Sequence, residues 1–575
     1  MTGVLYPATR SLDYPEVPVG ALLAGSARRF GDRTALHYYG RELSVEHLYE
    51  RACAFANALG AAGIGRGDVV AIHLPNCPQY AVAYYGILLA GATFSPTNPL
   101  LPPADLAFQL ADCGAVAAVS WIPATKALLA VQQQTAVRLV LATDREQAVD
   151  PSHRVAVEGA VQDFEAFHAD ASTTDPAVAI DVHTDLAHLA YTGGTTGRSK
   201  GVQLPHRNVL VNVLQYACWG SGSLPALDDR GGVVLDQVGD PEEFPTRLGT
   251  GVAINLTPWF HAMGTIGSLN VPLLTGSTTV LHERFDPSAY LVDAEKFSVT
   301  SMGGAPPLFG ALLQHPEFAT RDLSGVRSIS SGAAALPVEM IRAMQRRFGE
   351  DVVIAEGYGL TEVTMGATIG PGGRSAVRKV GTVGLPVYDT EVRILAGDDP
   401  EDPLPVGEAG EVCIRGPQVM TGYKDRAEET ASALVNGWLH TGDIGVLDDE
   451  GYLSIVDRKK DMLIYKGYNV YPRELEELLH GQPGVRGAAV VGRPDVMVGE
   501  LPVAFVVAPG LSETEGQALL AAVNEKVTPY KRLRELHLVD EIPVSAAGKV
   551  LKRELRDRLT SAAQPGSAQR GVTNG

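Results

Sequence analysis

Residues Tyr191 to Val202 read YTGGTTGRSKGV, with four glycines, three threonines, a serine and two cations in one short run. Glycines let neighbouring backbone N–H groups turn inward together and form a concave nest for an anion. The hydroxyls add donors at its rim, and Lys200 supplies a charge that a phosphate can neutralise. The run is not a Walker A loop, which needs Gly, four residues, then Gly-Lys-Ser/Thr. Counting from Gly193 puts Arg198 where the second glycine belongs, and counting from Gly194 puts Ser199 there. A glycine-rich run taken alone is also the pattern of a surface turn, so its chemistry has to be judged by its company. That company is SGAAAL at 331–336, EGYGLTE at 356–362, HTGD at 440–443, DRKKDMLIYKGYN at 457–469 and PVSAAGK at 543–549.

In this order the six segments resemble the acyl-adenylate-forming (AMP-binding) superfamily, which includes acyl-CoA synthetases, luciferases and adenylation domains of peptide synthetases. The resemblance runs over residues 20 to 560. TGGTTG, HTGDIG, VDRKKDM and GYNVYPRELE look most like bacterial long-chain fatty acyl-CoA synthetases. The resemblance implies a carboxylate attacking the α-phosphate of ATP, with pyrophosphate leaving, followed by coenzyme A attacking the acyl-adenylate. In such a transfer the protein mainly positions groups and stabilises charge.

The resemblance also implies roles for residues. Thr192, Gly193, Gly194, Thr195, Thr196, Gly197 and Lys200 would hold the β- and γ-phosphates. Tyr358 would stack on adenine, with Ala333, Ala334, Glu356 and Gly357 around the base. Thr361 would reach phosphate, and Glu362 would help hold Mg²⁺, a hard cation that prefers oxygen ligands. Asp443 suits the ribose hydroxyls, because a carboxylate accepts two hydrogen bonds, and Arg458 adds a ribose or phosphate contact. Lys549 would reach the α-phosphate and the substrate carboxylate, so that Lys200 and Lys549 together offset developing charge. Lys460 would be the hinge for the second half-reaction, with Lys466 and Gly467 beside the pantetheine path. His261, in TPWFH, either gates the acyl site or is a core histidine among aromatics. Met302, Gly303 and Gly304 either line an acyl tunnel or form an ordinary packed strand and turn. Ile464 is apolar where luciferases and coumarate-type ligases usually carry lysine, which favours a fatty acid.

The leading expectation is an ATP-dependent synthetase that joins a medium- or long-chain fatty acid to coenzyme A. The alternatives are an aryl-acid CoA ligase, an enzyme loading a separate carrier protein, and a binding protein on a degenerate adenylation fold. Expected cofactors are ATP, Mg²⁺ and CoA. Homodimerisation and peripheral membrane contact are further options that go with the family.

These groups need rigid elements to place them. Val69–His73, Ala115–Val119 and Leu139–Ala142 read as short buried strands between helices, which predicts a largely parallel α/β sheet. Ser44 is the expected N-cap of a helix. Asp185–Tyr191 reads as a strand and Asn208 onward as a helix, so the glycine-rich loop is expected to join a strand to a helix. The Gly-, Pro- and acid-rich segment Ser221–Gly251 reads as a long surface loop. Pro472–Leu479 reads as a helix with Pro first and Gly481 beyond its end. The predicted organisation is a large multi-subdomain N-terminal domain with mainly parallel sheets (1–456), a small mobile α+β domain (457–560, hinge near 460) and a disordered tail (561–575).

Composition sets outer bounds. Of 575 residues, 45% are apolar and 20% charged, the profile of a globular protein. A net charge of −19 gives no basic footprint for nucleic acid. The five cysteines are scattered, with no CxxC pair, which fits reduced thiols and argues against structural zinc. The N-terminus has no signal-peptide pattern, and the most apolar window, Ala81–Phe94, is too short to span a bilayer. A cytoplasmic location is the expectation.

Overall fold

The computed structural model describes residues 11–157, 159, 161–192, 199–332, 336–397, 402–459, 461–466, 468–495, 497–544, 550–562 and 572–573. An eight-stranded sheet contains all the strands expected from the first half of the chain. Val69–His73 sits between Thr93–Pro96 and Ala115–Trp121, and Leu139–Thr143 follows outside, all parallel. A nine-stranded sheet carries a second parallel run through Val353–Tyr358, Ser328–Ser331, Ser301–Gly304, Val252–Asn255 and Thr278–Leu281. A five-stranded antiparallel sheet follows, including Gly410–Arg415, Trp438–Leu447 and Leu453–Arg458. The fold class is the expected α/β.

The helix Pro78–Leu89 is buried along its whole length. It answers the apolar window: a core helix, its tyrosines pinned by polar partners. Tyr84 Oη lies 2.9 Å from His188 Nε2, Tyr85 donates to Asn270 Oδ1 at 2.8 Å, and Tyr80 donates to the Trp259 carbonyl at 2.8 Å. Gly86 lets the helix Val45–Ala61 come close, since a Cβ there would meet Phe55 Cδ1 at 2.7 Å and the Ala52 carbonyl at 2.9 Å. Gly86→Val should therefore lower the thermal midpoint by the equivalent of about 1–3 kcal/mol, the usual cost of overpacking. An unchanged melting curve would show that the two helices can part freely. Ser44 caps that neighbouring helix as expected, accepting from the His47 N–H.

Two expectations need correction. The segment from Ser221 is not simply a surface loop: Ser223–Leu227 and Val233–Gln237 form an antiparallel hairpin. Val233 and Leu235 are buried in the main core, and the turn is fixed by Asp228, which accepts from the Arg230 and Gly232 N–H groups and pairs with Arg28. Its Gly, Pro and acid content describes the turn and the flanks, and it hid the alternating VVLDQ strand. The second correction concerns the glycine-rich loop, which joins two antiparallel strands, Leu186–Tyr191 and Gly201–Pro205. The helix begins only afterwards, at His206.

The C-terminal part has its own six-stranded sheet. Strand residues alternate between two cores: Ala488, Val490, Ala504 and Val506 on one face, Ala489, Val491, Val503 and Phe505 on the other. Helices Pro472–His480 and Glu513–Asn524 cover the first face, and Leu555 and Leu559 of Lys552–Ala562 cover the second. The chain leaves the five-stranded sheet at Arg458 and enters the six-stranded one at Leu463. Val572–Thr573 adds an edge strand beside Glu535–Leu538. All five cysteines are buried. Among the described residues no helix is long and apolar enough to cross a membrane.

Candidate active site

The hairpin that carries the glycine-rich loop is closed at its neck. Thr192 N–H donates to the Lys200 carbonyl at 3.1 Å, Lys200 N–H donates to Thr192 Oγ1 at 3.3 Å, and Ser199 Oγ donates to the Thr192 carbonyl. Gly193, Gly194, Thr195, Thr196 and Gly197 lie outside the described residues. Lys200 Nζ stands 4.8 Å from the ring centroid of Tyr423, within cation–π range. Tyr423 belongs to the edge strand Gly422–Tyr423, which pairs with Gly201–Pro205 and sets Tyr423 opposite Val202. Its hydroxyl donates to Glu362 Oε1 at 2.8 Å. Lys200, Tyr423 and Glu362 are thus one connected unit. Sequence reading missed Tyr423: it is far from both partners along the chain, and only the strand pairing brings it to them.

The segment 356–362 runs off the end of the strand Val353–Tyr358. Gly357 and Tyr358 pair with Ile369 and Thr368, so the chain reverses and leaves Thr361 and Glu362 on the turn Thr361–Val363. The reversal is tight: a Cβ on Gly359 would fall 2.0 Å from the Met365 carbonyl oxygen. Tyr358 donates to Asp443 Oδ2 at 2.6 Å, and Arg458 Nε lies 3.3 Å from Asp443 Oδ1. The antiparallel register places Asp443 directly opposite Arg458. Burial, and then the adjacent Asp443 carboxylate, push the Tyr358 hydroxyl well above the usual tyrosine range, so it stays a donor. Three residues from three separate motifs therefore meet here.

Glu356 holds the neighbouring segment in place. Its Oε2 accepts from the Leu336 N–H at 2.8 Å, tying the end of SGAAAL to the strand. Ala333 and Ala334 lie outside the described residues. Burial pushes the Glu356 carboxyl up to about 7 from an ordinary 4.5. The folded chain thus keeps a proton that the unfolded chain releases. The stability this contributes is whole below 4.5 and is lost as pH rises through about 7. Glu356→Gln should flatten the fall in melting temperature between about pH 5 and pH 8. Parallel pH curves for the two proteins would refute this account of the carboxyl.

The TPWFH segment is anchored by the core helix. Asn76 Oδ1 accepts from the Trp259 N–H at 2.8 Å, and Tyr80 holds the Trp259 carbonyl. His261 is partly exposed; its Nδ1 accepts from the Met263 N–H at 3.3 Å, at the mouth of a π-helical stretch, Met263–Asn270. Such stretches are rare and concentrate at functional sites. This one lies against the nucleotide motifs: a Cβ on Gly332 would come within 2.8 Å of Met263 Sδ, and one on Gly267 within 3.2 Å of Met365 Sδ. Met302 is only 1% exposed and packs in the core with Ile254, Phe309 and Ile329. Gly303 and Gly304 continue its strand, where added Cβ atoms would sit 3.3 Å from Ser330 Oγ and 3.1 Å from Leu308 Cδ1.

In the C-terminal part, Lys466 takes a left-handed backbone conformation (φ 52°) at the turn between Leu463–Tyr465 and Tyr468–Val470, and its N–H donates to the Val498 carbonyl at 2.7 Å. Lys460, Gly467 and Lys549 lie outside the described residues. Among the described residues no group of three or more His, Cys, Asp or Glu side chains converges as a metal-ligand set. One carboxylate, Glu362, suits Mg²⁺ that takes its remaining ligands from phosphate oxygens and water.

The profile of the AMP-binding enzyme family matches residues 23–424, and that of the AMP-binding enzyme C-terminal domain matches residues 474–549. The chain belongs to the AMP-binding enzyme family. A long-chain-fatty-acid–CoA ligase of Bacillus subtilis (strain 168) is 34% identical over 570 residues, covering 96% of each chain. A feruloyl-CoA synthase of an Amycolatopsis species is 34% identical over 534 residues, covering 93% of this chain and 97% of its own. An anthranilate CoA ligase solved in complex with anthranoyl-AMP superposes with a TM-score of 0.83 at 25% identity, over 96% of this chain and 98% of that one. This AMP-binding enzyme is an AMP-forming acid–thiol ligase, and its cofactors are ATP, Mg²⁺ and coenzyme A. The residues present fit that set: a cation and hydroxyls for phosphate, a lone carboxylate for the metal, and a held carboxylate for ribose.

Proposed function

We propose that the enzyme activates a medium- or long-chain fatty acid as its acyl-adenylate and passes the acyl group to coenzyme A. The observation that carries this reading is the pair of clusters Lys200–Tyr423–Glu362 and Tyr358–Asp443–Arg458, tied to each other by the short chain segment from Tyr358 to Glu362, which offer phosphate, metal and ribose groups from separate elements. Bound ATP supplies the electrophilic phosphorus and the leaving group, and Mg²⁺ neutralises phosphate charge. Lys200 holds phosphate oxygens, and Tyr423 aims the Glu362 carboxylate. Asp443 accepts from the ribose hydroxyls and Tyr358 packs on the base. Lys549 orients the attacking carboxylate. The similarity to the Bacillus subtilis ligase and the apolar Ile464 favour a fatty acid. The similarity to the feruloyl-CoA synthase supports an aryl acid as the second reading.

The second half-reaction needs a different face of the small domain, turning about Lys460. The change of sheet between Arg458 and Leu463 supports a hinge there. Pyrophosphate release measured across acetate, palmitate, coumarate and benzoate, with and without CoA, tests the reading. Release should peak with a medium- or long-chain fatty acid and rise with CoA. A peak with coumarate or benzoate would make it an aryl-acid ligase, and indifference to CoA would point to a carrier-loading enzyme.

A further inference from the structure

The strands that deliver the nucleotide residues have an opposite end. Ser331 and Glu356, paired in register, lie toward the active-site ends of the strands Ser328–Ser331 and Val353–Tyr358. At the other end, about 13 Å away at 3.3 Å per residue, a cavity of about 380 Å³ is lined by Arg247, Arg321, Arg327, Arg347 and Arg374. Nothing in the proposed mechanism uses it.

The arginines are not equally committed. Arg321 forks onto Glu295 and Glu317 at 2.7 and 2.6 Å, Arg247 pairs with Glu242, and Arg374 lies 3.6 Å from Asp351. Arg347 donates to the Phe318 and Arg321 carbonyls, both at 2.9 Å. Arg327 differs: its Nε and Nη2 are both shielded from solvent and have no hydrogen-bond partner, and Arg247 Nε is in the same state. Among the described residues no carboxylate lies within ion-pair distance of Arg327. Shielded donors without acceptors are costly, and the charge of Arg247 adds to the cost of burying Arg327. The acids nearby are occupied or turned outward. Asp322 caps the Ser324 N–H, Glu243 accepts from the Ser375 N–H and hydroxyl, and the Glu242 and Asp351 side chains are 67% and 89% exposed.

We propose that this cavity is a second anion site, which takes the phosphate group of a small soluble molecule. Arg247, Arg327 and Arg347 come from three separate segments and line the same cavity. A phosphate offers three acceptor oxygens to such a set, where a carboxylate offers two. The volume lies within the range of small-molecule pockets and far exceeds a single water. The exposed acids at the rim, on a chain of net charge −19, oppose docking on an anionic bilayer and favour a soluble ligand.

The test titrates inorganic pyrophosphate, without Mg²⁺, into the full chain carrying Lys200→Ala, which weakens the nucleotide site. Calorimetry should show one saturable site, and adding Arg327→Met should weaken it about tenfold or more, the loss of one charge-assisted contact. No binding, or equal binding in both variants, would overturn the proposal. Crystals of the unaltered chain soaked in tungstate give a reading that does not depend on a variant's folding. Density between Arg327 and Arg247 supports the site, and density only at the nucleotide motifs refutes it. Sedimentation with phosphatidate vesicles that requires Arg327, without pyrophosphate binding, would reassign the cavity to a lipid headgroup and overturn the soluble ligand.

Discussion

Lys549→Ala should cut acid-dependent pyrophosphate release about 100- to 1,000-fold, the scale of removing one preorganised charge from a reacting centre. Thioester formation from supplied acyl-adenylate and CoA should stay nearly unchanged. In the proposed mechanism the two half-reactions separate, because the lysine would be needed only while charge develops on the α-phosphate and the attacking carboxylate. The described residues on either side of 545–549 are tied together. Val544 and Val550 form a β-bridge, and Leu551 N–H donates to the Pro543 carbonyl at 2.9 Å. Just beyond, the half-buried Lys552 pairs with Glu476 at 2.8 Å. Equal loss of both half-reactions would undo the idea that the small domain presents different faces in turn.

The second large effect concerns Glu362, the proposed metal carboxylate, and Tyr423, which donates to it. Glu362→Gln should lower kcat/KM about 100-fold or more, because the amide cannot replace a carboxylate toward Mg²⁺. Tyr423→Phe should cost about tenfold, the scale of one lost hydrogen bond to a charged group. The double variant should be no slower than Glu362→Gln alone, since Tyr423 acts through Glu362. Multiplying losses would mean that Tyr423 has a separate role, for instance through Lys200, whose charge stands over its ring. An Mg²⁺ titration adds a reading that a merely structural role would leave alone: Tyr423→Phe should raise the Mg²⁺ concentration needed for half-maximal rate.

Local pattern was enough to read the parallel strands, the Ser44 cap and the helix that Pro472 opens, because each signal lies within a few residues. The Asp443–Arg458 pair was legible only as two motifs. Their contact follows from a hairpin register that has to be built across the Asp448–Gly451 turn. Tyr423 was invisible for the same reason on a longer scale: it joins Lys200 and Glu362 through an edge strand of two residues. The hairpin after Ser221 was lost to composition, since its turn and flanks outnumber its strand residues. Gly201–Pro205 was overlooked because its Gly, Gln and Pro interrupt the β-branched apolar run that marked the equally short Val69–His73.

The burial of every cysteine has a practical side. Coenzyme A is itself a thiol, and an exposed protein thiolate would be open to attack on the disulfide form of coenzyme A, giving a mixed disulfide and releasing one coenzyme A thiol. Burial pushes Cys53 and Cys77 up to about 12 and Cys113 to about 11, which keeps them as inert thiols. The native sequence is therefore already quiet toward maleimides. Cysteines introduced at the exposed positions Asp105 and Glu513, one in each domain, would be the reactive pair. Dyes placed there would test in single molecules whether the small domain turns during turnover, with no native cysteine removed.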